Sequence, residues 1–291
     1  MRLPITILLL LMVPISASAW GDKGHLMVNR LAVDAAAPKL PEFMKAGRDH
    51  LIYNSYEPDR WKEELRTPLY AGESPDHFFD SERWGAISAI EPNRYLFMEK
   101  LAARKIELSR VGYLPYAIVE YYGRLVNAFR HWREAKTAAD RETARANAIF
   151  YAGVMGHYIG DGSQPMHLTI HFNGWAENTP NPHNYTKDRN LHARYEIDYV
   201  TSAIEDAQVK PKVTSPTRLN DVFGSIKQYL TQTFAEIEPL YELEKSGEFN
   251  PLRPQPKGTA FIAAQIARAS TMLGSLWYTA WLESGESKPK P

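Results

Sequence analysis

The sequence predicts an all-α protein, one multi-helix domain interrupted by long loops. Five segments repeat apolar residues at close to helical spacing, and runs of alternating β-branched residues are nearly absent. No stretch is both long and polar enough to link two separate domains.

Arg2, the apolar run at 7–13, Pro14 and the small residues Ala17, Ser18 and Ala19 have the layout of a secretory signal peptide at 1–19. The run is too short to span a bilayer, so no transmembrane anchor is expected. Cleavage after Ala19 would start the chain at Trp20 and place it outside the cytoplasm, secreted or periplasmic; the alternative is a retained anchor. A domain at 20–283 and a flexible tail at 284–291 are then expected. The segment 66–84 carries Gly, Pro and Asp and reads as a loop. At 114–135, Leu114, Ile118, Val119, Tyr122, Leu125, Val126, Phe129 and Trp132 fall on a helical stripe. The Ala-rich segment 143–160 repeats it with Ala146, Ile149, Phe150, Val154 and Ile159. A second long loop covers 162–188. Segments 190–205 and 220–237 are again helical, 247–258 is a Pro-containing connector, and 257–283 is a long helix ending near Gly285. Loops this long inside one domain usually carry function.

The 291 residues hold 34 Lys+Arg against 34 Asp+Glu, so no basic field marks a duplex nucleic-acid binder. An apolar fraction of 44% suffices for a buried core and is too high for a disordered chain. The absence of Cys excludes disulfide scaffolds, Cys-held metals and thiol catalysis. Any metal must be held by His, carboxylates and backbone atoms.

The nine His matter through their spacing. His157 and Asp161 are four apart on a helix, so both point from one face. Gly162 to Pro165 should break that helix and turn His167 back toward the same place. His192 and Glu196 form a second pair of the same spacing. Helical bundles build interior metal sites from such facing pairs, and His with carboxylate suits zinc. At Trp20 to His25, a terminal amine and its own carbonyl could chelate a metal after cleavage. From spacing alone, a Trp capping the core beside an ordinary His is the simpler alternative. His50, His131, His171 and His183 match no such pattern. Whether zinc would serve catalysis or only hold a non-catalytic helical protein together stays open at this level.

Three strings together resemble the zinc-dependent phospholipase C / single-strand nuclease superfamily: Trp20-Gly21-Asp22-Lys23-Gly24-His25, then His157-Tyr158-Ile159-Gly160-Asp161-Gly162-Ser163-Gln164-Pro165-Met166-His167, then Asn190-Leu191-His192 with Glu196. The resemblance implies an all-α fold with three zinc ions in a cleft and hydrolysis of phosphodiesters by a zinc-activated water. Carried over position by position, it implies that Trp20, through amine and carbonyl, and His25 hold one zinc. Asp161 would bridge it to a second, completed by Asp59, His77 and His157. His167, His192 and Glu196 would hold the third. Asp76 and Asp80 compete with Asp59 for its role. Asp59 would also orient the nucleophile, and Lys62 would contact the phosphate unless it is simply an exposed lysine. Phe78 and Asp80 would stack on and hydrogen-bond a nucleobase. Because the Trp20 ligand atoms are backbone, replacing its side chain is expected to be milder than adding a residue before it. The implied substrate is single-stranded nucleic acid or a nucleotide, favoured by the short Trp20-to-His25 spacing and the basic residue after Asp59. The alternative is a phospholipid, favoured by Glu196, where nuclease relatives usually carry Asp.

Overall fold

Among the described residues, 20–63 and 67–286 of a computed structural model, there is no strand. The regular elements there are helices, apart from one isolated bridge between Phe172 and Gly174. The predicted signal peptide at 1–19 lies outside the described residues, as do 287–291 of the predicted tail.

Four long helices make the frame: α1 (Gly21–Ala36), α2 (Leu114–Glu134), α3 (Ala138–Ser163) and, near the end of the chain, one at Pro256–Ser284. The three-residue connection between α2 and α3 forces them antiparallel, and they share the most extensive helix contact. Thr137 starts α3 by accepting the Asp140 N–H at 3.0 Å, an N-cap. The helix therefore begins earlier than the apolar spacing suggests. It also runs past the expected break, through Gly162 to Ser163. Pro165 is what stops it, by confining Gln164 to extended backbone at φ −92°, ψ 113°.

The last three turns of α3, from Ala152 to Ser163, are buried on every side. The helix there is wrapped by α1, α2, the helix α4 (Val222–Phe234) and the C-terminal helix α5 (Pro256–Ser284). Close approach to α1 requires glycine. A Cβ on Gly156 would stand 1.8 Å from the Asn29 side chain, and one on Gly160 2.7 Å from the His25 ring. Asn29 uses the space to donate to the carbonyls of Leu51 and Gly153 at 2.6 and 3.0 Å.

Two irregular segments complete the frame. An extended strap lies on α5, where Thr271, Ser275 and Thr279, four apart on one face, accept the N–H groups of Thr214, Thr217 and Leu219 at 2.9–3.2 Å. The loop expected at 162–188 is ordered by its own aromatic residues. Trp175 stacks on His171 with centroids 3.7 Å apart, Tyr185 and Tyr241 pack on Trp175, and the Tyr241 hydroxyl donates to the His171 carbonyl. The loop at 66–84 is broken into short helices at Pro68–Glu73 and Ser81–Trp84. Glu286, in the predicted tail, pairs with Arg218 at 2.7 Å.

Candidate metal centre

α3 carries His157 and Asp161 on one face, with His25 of α1 beside them across the glycine seam. Asp59 comes from the short helix Glu57–Arg60, and His77 from the turn Ser74–His77. Beyond the end of α3, the turn Pro165–Leu168 delivers His167. His192 lies on Leu191–Ala193, and Glu196 on the π-helical segment Arg194–Tyr199 that continues it. A π-turn widens the helix and often marks a functional position. All eight side chains are buried.

These side chains form three adjoining groups, each able to hold a metal ion: His25, His157 and Asp161; Asp59, His77 and His157; His167, His192 and Glu196. Asp161 joins the first two. Its Oδ1 is 3.5 Å from His25 Nε2, while its Oδ2 is 3.0 Å from His77 Nδ1 and 3.4 Å from His157 Nε2. Asp59 Oδ1 lies 3.8 and 3.7 Å from those same two nitrogens. In the third group, His167 Nε2 is 3.2 Å from both His192 Nε2 and Glu196 Oε1. Donor atoms around tetrahedral zinc, with bonds near 2.0–2.1 Å, stand about 3.3 Å apart. The donor sets therefore fit zinc in both chemistry and spacing. Unsatisfied atoms point the same way: both His25 nitrogens and both Asp161 oxygens are buried without a hydrogen bond.

Backbone carbonyls select which nitrogen each ring presents. His157 Nδ1 donates to the Ser55 carbonyl at 2.8 Å and His167 Nδ1 to the His77 carbonyl at 2.6 Å. A carbonyl only accepts, so both rings carry hydrogen on Nδ1 and turn Nε2 toward the site as the nitrogen a metal would take. The His77 and His167 turns are tied again by the Phe79 N–H donating to the His167 carbonyl at 2.8 Å.

Burial holds His25 and His77 well below the usual histidine range and takes His157 down to about 4, so all three are neutral at pH 7. Burial also holds the Asp161 carboxyl well above the usual carboxylate range. Burial opposes the charge on His167, but the Asp161 and Glu196 carboxylates outweigh it and raise the ring to about 9. Burial works against Glu196 too, and His192 and His167 more than offset this, bringing it to about 2. The metal-free site thus stores a proton around Asp161 and His167 that a cation would displace.

Asp76 and Asp80 are each engaged elsewhere. Asp76 pairs with Arg94 through two contacts of 3.0 and 3.1 Å, and Asp80 with Arg83 at 2.8 Å. Of the three carboxylates weighed, Asp59 is the one among the histidines. Lys62 is buried, not an exposed surface lysine, and its Nζ is 2.9 Å from Asp59 Oδ1. Phe78, the residue after His77, is half-buried. Trp20 packs at the head of α1, where its carbonyl accepts the Gly24 N–H at 3.0 Å. Its indole is fully buried, and Nε1 donates to the Gly160 carbonyl and to Ser163 Oγ at 2.8 and 2.9 Å. The indole thus anchors the residue to α3 within a turn of Asp161. His50, His131 and His183 are exposed and apart from the groups, and His171 is taken up by Trp175.

Three neighbours escaped sequence reasoning. Ser55 contributes only a carbonyl, which no side-chain pattern reveals. Gln164 lies inside the His157-to-His167 string yet drew no role from spacing. Phe172 exposes its ring on the ordered loop, 6.3 Å from His192 between centroids; only tertiary packing puts it there.

No family model and no curated protein matches the chain. Two solved structures are similar to it: the alpha toxin from Clostridium absonum, at 14% identity and TM-score 0.47, covers 92% of this chain and 67% of its own. The Clostridium perfringens alpha-toxin from avian strain SWCP, at 15% identity and TM-score 0.46, covers 93% and 66%. The chain thus spans about two thirds of the length of these structures.

Proposed function

We propose that this chain is a zinc-dependent phosphodiester hydrolase acting on single-stranded nucleic acid or nucleotides. The observation that carries the hydrolase reading is Asp161, one buried carboxylate with its two oxygens turned toward different histidine groups. That arrangement suits paired cations, with the third group close enough to share one substrate. Zinc held there would supply a water acidified toward neutral pH and positive charge for the phosphate oxygens.

The rest falls to the chain's own residues. His25 and Asp161 hold the first zinc, together with the amine and carbonyl of Trp20 once processing at the Ala19–Trp20 bond has freed that amine. Asp59, His77, His157 and Asp161 hold the second, and His167, His192 and Glu196 the third. Asp59 orients the attacking water. The Lys62 ammonium, held beside Asp59, meets the phosphate and offsets its charge. Phe78 offers its half-buried ring to a base, and Asp80, paired with Arg83, would hydrogen-bond it. The working unit is the domain at 20–283, exported by the segment 1–19.

A second reading, a phospholipase C, is favoured by Glu196 in place of the Asp usual in nuclease relatives. One panel separates the possibilities. Bis(4-nitrophenyl) phosphate tests diester hydrolysis as such, with chelator as control. Single-stranded DNA, RNA and phosphatidylcholine vesicles then compete as substrates. Chelator-sensitive cleavage of the generic diester and of DNA or RNA supports the proposal. Turnover of phosphatidylcholine alone transfers it to the phospholipase reading. No hydrolysis by zinc-loaded protein leaves a non-catalytic zinc protein.

A further inference from the structure

Gln164 is fully buried between the turn that carries His167 and the segment that carries Glu196. Its amide orientation is decided by its partners. The Met166 backbone N–H, which can only donate, meets Oε1 at 2.7 Å, so that atom is the oxygen. The NH₂ end must then face the other way, where it donates to Glu196 Oε1 and lies 3.4 Å from His192 Nε2. Glu196 Oε1 is the oxygen turned toward His167 and His192, at 3.2 and 2.5 Å. Glu196 Oε2 is buried with no hydrogen bond, so Gln164 is the neutral donor that keeps this carboxylate in one orientation.

We propose that Gln164 is the positioning residue of the third group: one amide ties the His167 turn to the Glu196 carboxylate and so sets the zinc affinity of this group without touching the Asp161 pair. This rests on the three-zinc reading above. The physical basis is that a ligand carboxylate left to rotate must be reordered on each binding event, and that a partner beyond the metal commonly accounts for 10–100-fold in affinity. Gln164 also caps the turn Pro165–Leu168, so its two contacts must be tested apart.

Two variants do this in the full processed chain. Gln164→Asn keeps an amide suited to the Met166 N–H but is one methylene too short for Glu196. Gln164→Met keeps the length and loses both contacts. Stepwise zinc affinities are read by competition with a chelating indicator, and folding by circular dichroism. Both variants should lose roughly 10–100-fold in one of three affinities and keep the other two. In a Glu196→Ala background, Gln164→Asn should add nothing, because Gln164 acts through that carboxylate. Unchanged affinities in Gln164→Asn would overturn the proposal, as would an equal fall in all three or an additive loss in the double variant. Wild-type protein that binds no zinc would instead overturn the underlying site reading, and the proposal with it.

Discussion

Replacing Asp161 by Asn should act with different strength in the metal-free and the zinc-loaded protein. The substitution keeps the shape and removes the charge. In the metal-free chain complete burial holds the carboxyl well above the usual carboxylate range, so its charge is disfavoured there and an amide of the same shape removes little that the fold gains from. Metal-free stability should therefore change little. With zinc the change reaches two groups at once, because Oδ1 faces His25 while Oδ2 faces His77 and His157. At free zinc about 100-fold above each dissociation constant, each bound ion stabilises the fold by about 2.7 kcal/mol, so losing two removes about 5 kcal/mol. At about 2–4 °C per kcal/mol this is a melting shift of roughly 10–20 °C. Scanning calorimetry of wild type and Asp161→Asn, each with zinc and with chelator, measures it. Wild type should melt far higher with zinc, and the variant should lose most of that rise while matching wild type in chelator. An equal zinc-dependent rise in both proteins would refute the bridging role. An equal drop in chelator and in zinc would show that Asp161 serves the fold alone.

Gly160→Ala places a methyl 2.7 Å from His25 Nδ1, so the ring must move; zinc content should fall by about one ion per chain, checked by metal analysis, and an unchanged count would show that His25 is not a ligand. Trp20→Ala empties a fully buried site and removes the indole's bonds to Gly160 and Ser163, so it should cost about 3–5 kcal/mol in urea unfolding, whereas a loss under about 1 kcal/mol would mean the indole is not an anchor. Zinc binding at pH 7 should release about one proton from the Asp161 and His167 cluster, beyond any from the terminal amine, read by calorimetry in buffers of different ionisation enthalpy. His167 is raised to about 9, so protons compete with zinc below that pH: affinity should climb from pH 6 to 9 and fall on acidification, and a flat profile would contradict the proton inventory.

The parts of the site readable from sequence are those set by local geometry. His157 with Asp161, and His192 with Glu196, are four apart, and a helix turns that spacing into a shared face wherever it occurs. The choice among Asp59, Asp76 and Asp80 is different. It depends on which arginine each meets: Arg94 reaches Asp76 through packing, and Arg83, three residues after Asp80, reaches it where the short helix Ser81–Trp84 begins. Helix limits fail for related reasons. The first turn of α3 is polar and capped by Thr137, so apolar spacing is silent there, and Gly162 is tolerated because the helix end is enclosed by Tyr229 and Leu230. The helix α1 drew no notice at all. It opens with two glycines, and its buried face sets the polar His25 and Asn29 among Met27, Val28, Leu31 and Val33, so the apolar stripe is present but interrupted. The indole of Trp20 reads as core filling until its bonds to Gly160 and Ser163 are seen.

If the three adjoining groups of buried side chains hold three zinc ions, metal content shows it: strip the processed protein with chelator, restore zinc in excess, remove the unbound ion and count zinc per chain by mass spectrometry. Three bound zincs per chain is the expected result, and a count of one or none would contradict the account.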